Sequence, residues 1–429
     1  MTTKIEVFEH DFIGVGDLDG RFRKEHLDLL EKFHEKQKRC IRQQKKGSTF
    51  FDLAYQDKKA GIKFKQYVGV LTVKDLCFYV WPKADRNGDN TIWKDHLLFM
   101  LAQVYKLKVD TMPAEKLTKR PHTLFNIFIK KFIDEVAALL NRGLIKTYRK
   151  TEGNRTALKG KLLFNKQIAY NCAHQERFYV KYTTYDYNHI LNRILQQTLL
   201  LIPLFTTSSD LKGKAASLLL NFPELPEIEA TPDLFQNLVY DRKSEDYREA
   251  IRLAEMILLN FMPDLQHGGS GVWALMFDMN KLWEEFVFCT LKRKLTGYEV
   301  RAQKSEPFWE CESFEKTKII KPDIVLSKDK ETFVLDTKWK IPFDNNKLQP
   351  PSDSDLHQLY VYLNRFNAKK GALVYPGEDQ RVVGKYHGPT DSFCDMLFLP
   401  GQILSKTSEK EWQKAIVDCV RNWVEKEHT

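Results

Sequence analysis

Along the first eighty residues apolar and polar positions alternate. Lys4–Glu9 has the period of a strand, and period-2 runs recur in FFDLAYQ, GIKFKQYVGVLTV and LCFYVWPKA. These predict a small antiparallel sheet, with Pro82 ending its last strand and a basic helix over Glu25–Lys46 lying between. Helical spacing then takes over at Asp95–Tyr105 and at Thr123–Leu140. In the second of these Phe125, Phe128, Phe132, Val136 and Leu140 form one stripe, and Gly143 is placed to cap the end. LIKTYRK and ALKGKLLF, on either side of Glu152-Gly153-Asn154, predict a hairpin. Helices follow at His189–Leu201, Leu211–Leu220 and Tyr247–Leu259.

The run Gln266-His267-Gly268-Gly269-Ser270-Gly271 is the sharpest boundary in the chain. Beyond it the pattern gives a helix at Asn280–Leu295, then strands at Tyr298–Lys304, Ile319–Leu326 and Thr332–Trp339. A helix at Asp355–Phe366, a strand at Ala372–Tyr375, further strands and a closing helix at Lys410–Lys426 complete it. Helix, three strands, helix, strand is the order of a compact α/β domain. The expected organisation is thus a mixed α/β protein, with an N-terminal α+β region over 1–265 and a second domain over 272–429.

Length agrees, since 429 residues suggest two or three domains. No apolar run approaches the ~20 residues that span a bilayer, and the longest, Thr198–Phe205, contains Pro203. The N-terminus lacks a signal-peptide pattern. Seven scattered cysteines (Cys40, Cys77, Cys172, Cys289, Cys311, Cys394, Cys419) include no CxxC pair. That pattern argues for a reducing cytoplasm and against a disulfide framework or a zinc site. Charge is concentrated. Lys106–Gln167 carries fifteen Lys/Arg against five Asp/Glu, a net charge equal to the +10 of the whole chain. Such a segment suits a polyanion or an acidic channel, and equally a solvated helix face.

The chemistry lies in KPDIVLSKDKETFVLDTKWK. DIVL and FVLDTK flank the polar turn Ser327–Glu331, so they form a hairpin that brings Asp323 beside Asp336. Asp336 and Lys338 are two apart on a strand and share a face. Two carboxylates are hard oxygen ligands for Mg²⁺, with Mn²⁺ an alternative. Such an ion lowers the pKa of a bound water and neutralises charge on a scissile phosphate. Lys338 beside it polarises the attacking hydroxide. The plainer alternative is a surface hairpin with an Asp336–Lys338 salt bridge.

In MNKLWEEFVFCTLKRKL, Glu284 and Glu285 interrupt an apolar stripe. A carboxylate turned inward there is costly unless it serves a metal, although both acids could instead pair with Lys281 and Lys292. Gln358 and Tyr362, four apart on a helix, share a face and either support the site or simply pack. The chain holds no Ser/His/Asp or Cys/His nucleophile context and no GxxxxGK[ST] phosphate loop.

Pro322-Asp323 and Asp336-Thr337-Lys338 resemble the PD-(D/E)xK nuclease signature. Glu284 resembles that superfamily's acidic residue on the first core helix, its LWE context setting it ahead of Glu285. Gln358-Leu-Tyr-Val-Tyr362 is similar to the QxxxY element of the RecB-like branch. LWEEFV, PDIVL, FVLDTKWK, HQLYVYL and ALVYP together resemble the McrC family, nuclease subunits of McrBC modification-dependent restriction systems. YVGVL, WPK, RGLIKTYRK, LKGKL and YDYNHILNRIL extend that resemblance over most of the chain, more loosely.

The resemblance implies a PD-(D/E)xK restriction-endonuclease-like domain over 272–429. In it Asp323, Asp336 and Glu284 bind Mg²⁺, Lys338 handles the water, and Gln358 and Tyr362 assist. It implies that 1–265 docks on a hexameric McrB-like AAA+ GTPase, which binds GTP and recognises 5-methylcytosine-modified double-stranded DNA. No membrane is involved. The competing expectations are an autonomous nuclease in phage defence or repair, and a non-catalytic adaptor that only grips DNA.

Overall fold

The computed structural model describes residues 3–44, 48–82, 90–105, 122–206, 208–262, 271–311, 314–340, 342–344, 347–377, 380–387, 392–400 and 409–426. The chain forms two compact units. Unit 1 comprises Met1–Leu27, Phe50–Pro121 and Met276–Thr429, and unit 2 comprises Asp28–Thr49 and His122–Leu275. These units cut across the 1–265 and 272–429 division read from the sequence. The N-terminal strands share a unit with the C-terminal part. The Met279 N–H also bonds the Gln66 carbonyl at 3.0 Å. Residues 266–270 and 106–121, holding most of the glycine-rich boundary and part of the basic segment, lie outside the described residues.

The early strands form two sheets rather than the single small one expected. Thr3–Phe8 runs parallel to Leu76–Trp81, which pairs antiparallel with Tyr67–Val73. Separately, Lys59–Phe64 pairs with Phe12–Gly14 and with Phe51–Gln56. Burial explains the split. Tyr67–Val73 and Leu76–Val80 are buried throughout, whereas Phe51–Gln56 turns only Phe51 fully inward.

In unit 2 the Phe128, Phe132 and Val136 stripe is buried on a helix spanning His122–Arg142. Gly143 follows in the left-handed conformation (φ 91°), its N–H bonded to the Leu140 carbonyl, as a C-terminal cap requires. The expected hairpin at Glu152–Asn154 is not formed. Thr147–Arg155 runs straight through those residues and pairs over its whole length with Phe178–Asp186, a strand the reading missed. Nine paired residues outweigh the local turn preference of Glu-Gly-Asn. Likewise the helix predicted at His189–Leu201 spans Ile190–Phe205 and carries Pro203 inside it. No helix among the described residues is long and apolar enough to cross a membrane.

The part of unit 1 after residue 276 is built on a seven-stranded mixed sheet. Its main path runs Glu299–Ala302, Ile324–Lys328, Glu331–Thr337, Lys370–Gly377, Ser392–Pro400, Gln380–Val382. Glu331–Thr337, Lys370–Gly377 and Ser392–Pro400 are parallel neighbours, and the first two are joined through a helix at Asp353–Arg365, as parallel pairing requires. The segment expected as one strand over Ile319–Leu326 is divided. Phe314–Ile320 pairs with Glu306–Cys311 in a separate hairpin, and Pro322-Asp323 breaks the run before Ile324.

Strand alternation sorts the side chains. Val325, Val334 and Leu373 pack with Leu359, Tyr362 and Leu363 of the Asp353–Arg365 helix. On the alternate positions, Phe333 meets Trp423 of the Glu409–Glu425 helix with ring centroids 6.1 Å apart. Gly371 lies under the first helix, where a Cβ would fall 2.9 Å from Leu363 Cδ2 and 3.0 Å from Leu359 Cδ1. Gly371→Ala is therefore expected to cost about 1–3 kcal/mol through overpacking. Chemical denaturation checks it, and an unchanged midpoint would contradict this packing.

Candidate active site

The Ile324–Lys328 and Glu331–Thr337 strands form a tight hairpin whose turn residues, Asp329 and Lys330, both have positive φ (48° and 73°). Positive φ at both central positions gives the two-residue turn that matches strand twist. Its register pairs Ile324 with Leu335, so the next pair outward is Asp323 and Asp336. Both therefore share the face of Val325 and Val334. Lys338 continues along it, with its backbone N–H bonded to the Val374 carbonyl at 2.8 Å.

Each group is held by named partners. Asp323 Oδ2 accepts from the Thr337 N–H and the Thr337 hydroxyl, both at 2.7 Å. Asp336 is 1% exposed. Lys338 Nζ lies 2.7 Å from Asp336 Oδ2 and 3.2 Å from Asp355 Oδ1. Asp336 Oδ2 is buried, and the Lys338 ammonium is the partner it faces. Lys338 also donates to Gln358 Oε1 at 3.3 Å, Gln358 Nε2 donates to the Tyr362 hydroxyl at 2.7 Å, and that hydroxyl donates to the Lys321 carbonyl at 3.1 Å. Gln358 and Tyr362 thus join Lys338 to the chain just before Asp323.

Glu284 comes from the Met279–Lys294 helix, which Asp278 caps at its N-terminus. Glu284 Oε1 accepts from Gln303 Nε2 at 2.8 Å, and the Gln303 N–H bonds the Asp323 carbonyl at 2.9 Å. Partial burial and the nearby Asp323 charge push the Glu284 carboxyl up to about 7. Asp323 and Asp336 are also raised, chiefly by burial, with Asp323 adding to the shift of Asp336 and Lys338 opposing both. Burial alone would depress Lys338, but Asp336 and Asp355 more than offset it and hold the ammonium charged. The sequence-predicted residues Asp323, Asp336, Lys338, Glu284, Gln358 and Tyr362 therefore converge. Glu284 feels the charges of Asp323 and Asp336.

Clustered, partly desolvated carboxylates of one sign mark a place arranged for charge that arrives later. Among the described residues no group of three His, Cys, Asp or Glu side chains is close enough to cage an ion unaided. The donor set nevertheless fits Mg²⁺, which commonly takes one or two carboxylates and completes its shell with water and substrate phosphate.

A pH dependence follows. Glu284 is raised from 4.5 to about 7 in the folded state, so the fold favours its protonated form. Its contribution is fully present below pH 4.5 and is lost as pH rises through 7. Glu284→Gln is expected to remove that loss and to stabilise the metal-free protein at pH 8 by about 1–2 kcal/mol, after allowance for solvent screening. Thermal melts at pH 5 and pH 8 check it; an equal midpoint difference at both would contradict the assignment.

Several supporting groups were not read from the sequence. Gln303, Thr337, Lys340 and Asp355 lack a motif of their own, although Ser352-x-x-Asp355 has the spacing of a helix capping box. Glu9 is buried and takes the Trp339 indole N–H at 3.3 Å. Trp339 in turn packs on Trp283 with centroids 5.9 Å apart. That pairing across 330 residues has no local signal.

A family model described as McrBC 5-methylcytosine restriction system component matches residues 62–376. Nothing among the curated proteins matches. Among solved structures, the chain is similar to one in a refined half-complex from a tetradecameric assembly of Thermococcus gammatolerans McrB AAA+ hexamers with bound McrC. Identity is 21%, coverage is 98% of this chain and 100% of that one, and the TM-score is 0.60. A second, from a cryo-EM structure of the Thermococcus gammatolerans McrBC complex, is 24% identical. It covers 69% of this chain and 89% of that one, with a TM-score of 0.45. At these identities the first likeness speaks to fold alone.

Proposed function

The chain belongs to the family of McrBC 5-methylcytosine restriction system components, and from that membership we propose that it is the DNA-cutting subunit of such a system. In this reading the sheet after residue 276 is a PD-(D/E)xK endonuclease core. Asp323, Asp336 and Glu284 hold Mg²⁺, with Mn²⁺ a substitute, and Lys338 acts on the attacking water. The observation that carries the reading is the convergence of Asp323, Asp336 and Lys338 on one sheet face, with the buried Asp336 carboxylate paired to the Lys338 ammonium.

When bound, the ion would lower the pKa of a coordinated water and place a positive charge beside the scissile phosphate. The chain's own residues do the rest. Thr337 fixes one oxygen of Asp323 with two hydrogen bonds. Lys338, held charged, orients the water and stabilises negative charge as it builds on the phosphate. Gln358 limits where that ammonium can swing, and Tyr362 anchors Gln358 to the backbone beside Asp323. Hydrolysis leaves a 5′-phosphate, and a double-strand break takes two such sites.

The partner in this reading is a McrB-like AAA+ hexamer that binds GTP, reads modified double-stranded DNA and is stimulated by this chain. Support comes from the family match and from the assembly in which the similar Thermococcus gammatolerans chain was solved. The chain's lack of a phosphate loop agrees with that division of labour. The test is Mg²⁺ binding to the full chain by calorimetry. The expected result is one binding event, lost in Asp336→Asn, that grows tighter from pH 6 to pH 8 as the raised carboxyls give up their protons. Binding that survives the substitution would contradict the metal assignment.

A further inference from the structure

Asp355 is the third residue of the Asp353–Arg365 helix, which Ser352 caps. An acid at that position ordinarily turns back to the N-cap backbone N–H. Here it does not. Its Oδ1 lies 3.2 Å from Lys338 Nζ, while its Oδ2 takes the Lys340 ammonium and the Ser352 hydroxyl, the latter at 2.7 Å. Asp355 is 8% exposed, so these charges meet with little water between them and attract more strongly than at the surface.

Lys338 is consequently shared. Asp336 draws the ammonium at 2.7 Å from one side, and Asp355 draws it at 3.2 Å from the other, with Gln358 Oε1 at 3.3 Å. Without the second carboxylate, the lysine's remaining charged partner here is Asp336, and nothing of opposite charge would hold the ammonium from the other side. Lys340 and Ser352 matter in turn because they fix Asp355 Oδ2 and leave Oδ1 aimed at Lys338. We propose that Asp355 is a positioning residue: by sharing the Lys338 ammonium with Asp336 it fixes where that charge sits and keeps the lysine poised toward the reacting phosphate.

This role rests on the nuclease reading, and the test separates the two. The full chain with its AAA+ partner, GTP and Mg²⁺ is assayed on modified plasmid as wild type, Asp336→Asn, Asp355→Asn and Asp355→Glu. Asp355→Asn keeps the size of the side chain and removes its charge. Its kcat is expected to fall about ten- to a hundredfold, the range for residues that orient a reacting group from behind. KM for DNA should change less than about threefold and GTP hydrolysis should be unchanged, since neither reads the position of Lys338. Asp355→Glu, which keeps the charge, should recover most of the loss. A wild-type rate in Asp355→Asn while Asp336→Asn is inactive overturns the positioning role alone. Wild-type rates in both overturn the nuclease site and this role with it. Parallel losses in kcat, KM and GTP hydrolysis in both Asp355 variants would mark a merely structural residue and also overturn it.

Discussion

Asp336→Asn is expected to lower strand cleavage by at least about a thousandfold, because a charge interaction worth several kcal/mol in the transition state disappears. The substitution keeps the shape of a side chain that is almost wholly buried, so the strand and its register stay in place. What goes is the negative charge, and with it the means to hold a cation in a low-dielectric position. Stability should move the other way. Burial and Asp323 raise the Asp336 carboxyl, so the folded metal-free protein disfavours its ionised form at neutral pH, and a neutral amide relieves that cost. Loss of activity with an equal or higher thermal midpoint is the expected signature. A large fall in the midpoint would mean that Asp336 is structural.

Lys338→Met is expected to slow cutting by about a hundred- to a thousandfold, the usual effect of removing one preorganised donor from developing charge. Methionine keeps most of the aliphatic stem, so packing changes little. The ammonium is only partly exposed and is held between Asp336 and Asp355, so its loss also leaves two carboxylates facing each other. Mg²⁺ binding should therefore survive or tighten while turnover collapses. Cleavage rates beside calorimetric Mg²⁺ binding check it. Joint loss of both would place Lys338 among structural ion pairs.

The candidate cluster could be assembled from the sequence because its parts are close along the chain or fixed by a regular period. A two-residue turn sets Asp323 against Asp336, strand alternation puts Lys338 on the same face, and helical spacing aligns Gln358 with Tyr362. Glu284 emerged as a charged position in an apolar stripe. The misses share a different cause. Glu-Gly-Asn carries a local turn preference, and it is the distant partner Phe178–Asp186 that holds Thr147–Arg155 straight through it. The two units could not be drawn either, since Thr3–Phe8 and Tyr67–Val73 share a unit with strands two hundred residues later. Asp355 and Glu9 carry no local signal of their roles, because their partners Lys338 and Trp339 are set by the fold.

The most direct measurement is cleavage of methylated and unmethylated plasmid by the purified chain, with and without its AAA+ partner, GTP and Mg²⁺. Asp336→Asn is run in parallel. The account predicts cutting of methylated DNA only when the chain, partner, GTP and Mg²⁺ are all present, and none with Asp336→Asn. Cutting without partner or GTP would establish an autonomous nuclease instead. Stimulated GTP hydrolysis with no cutting of either DNA would contradict the catalytic assignment and leave a gripping subunit.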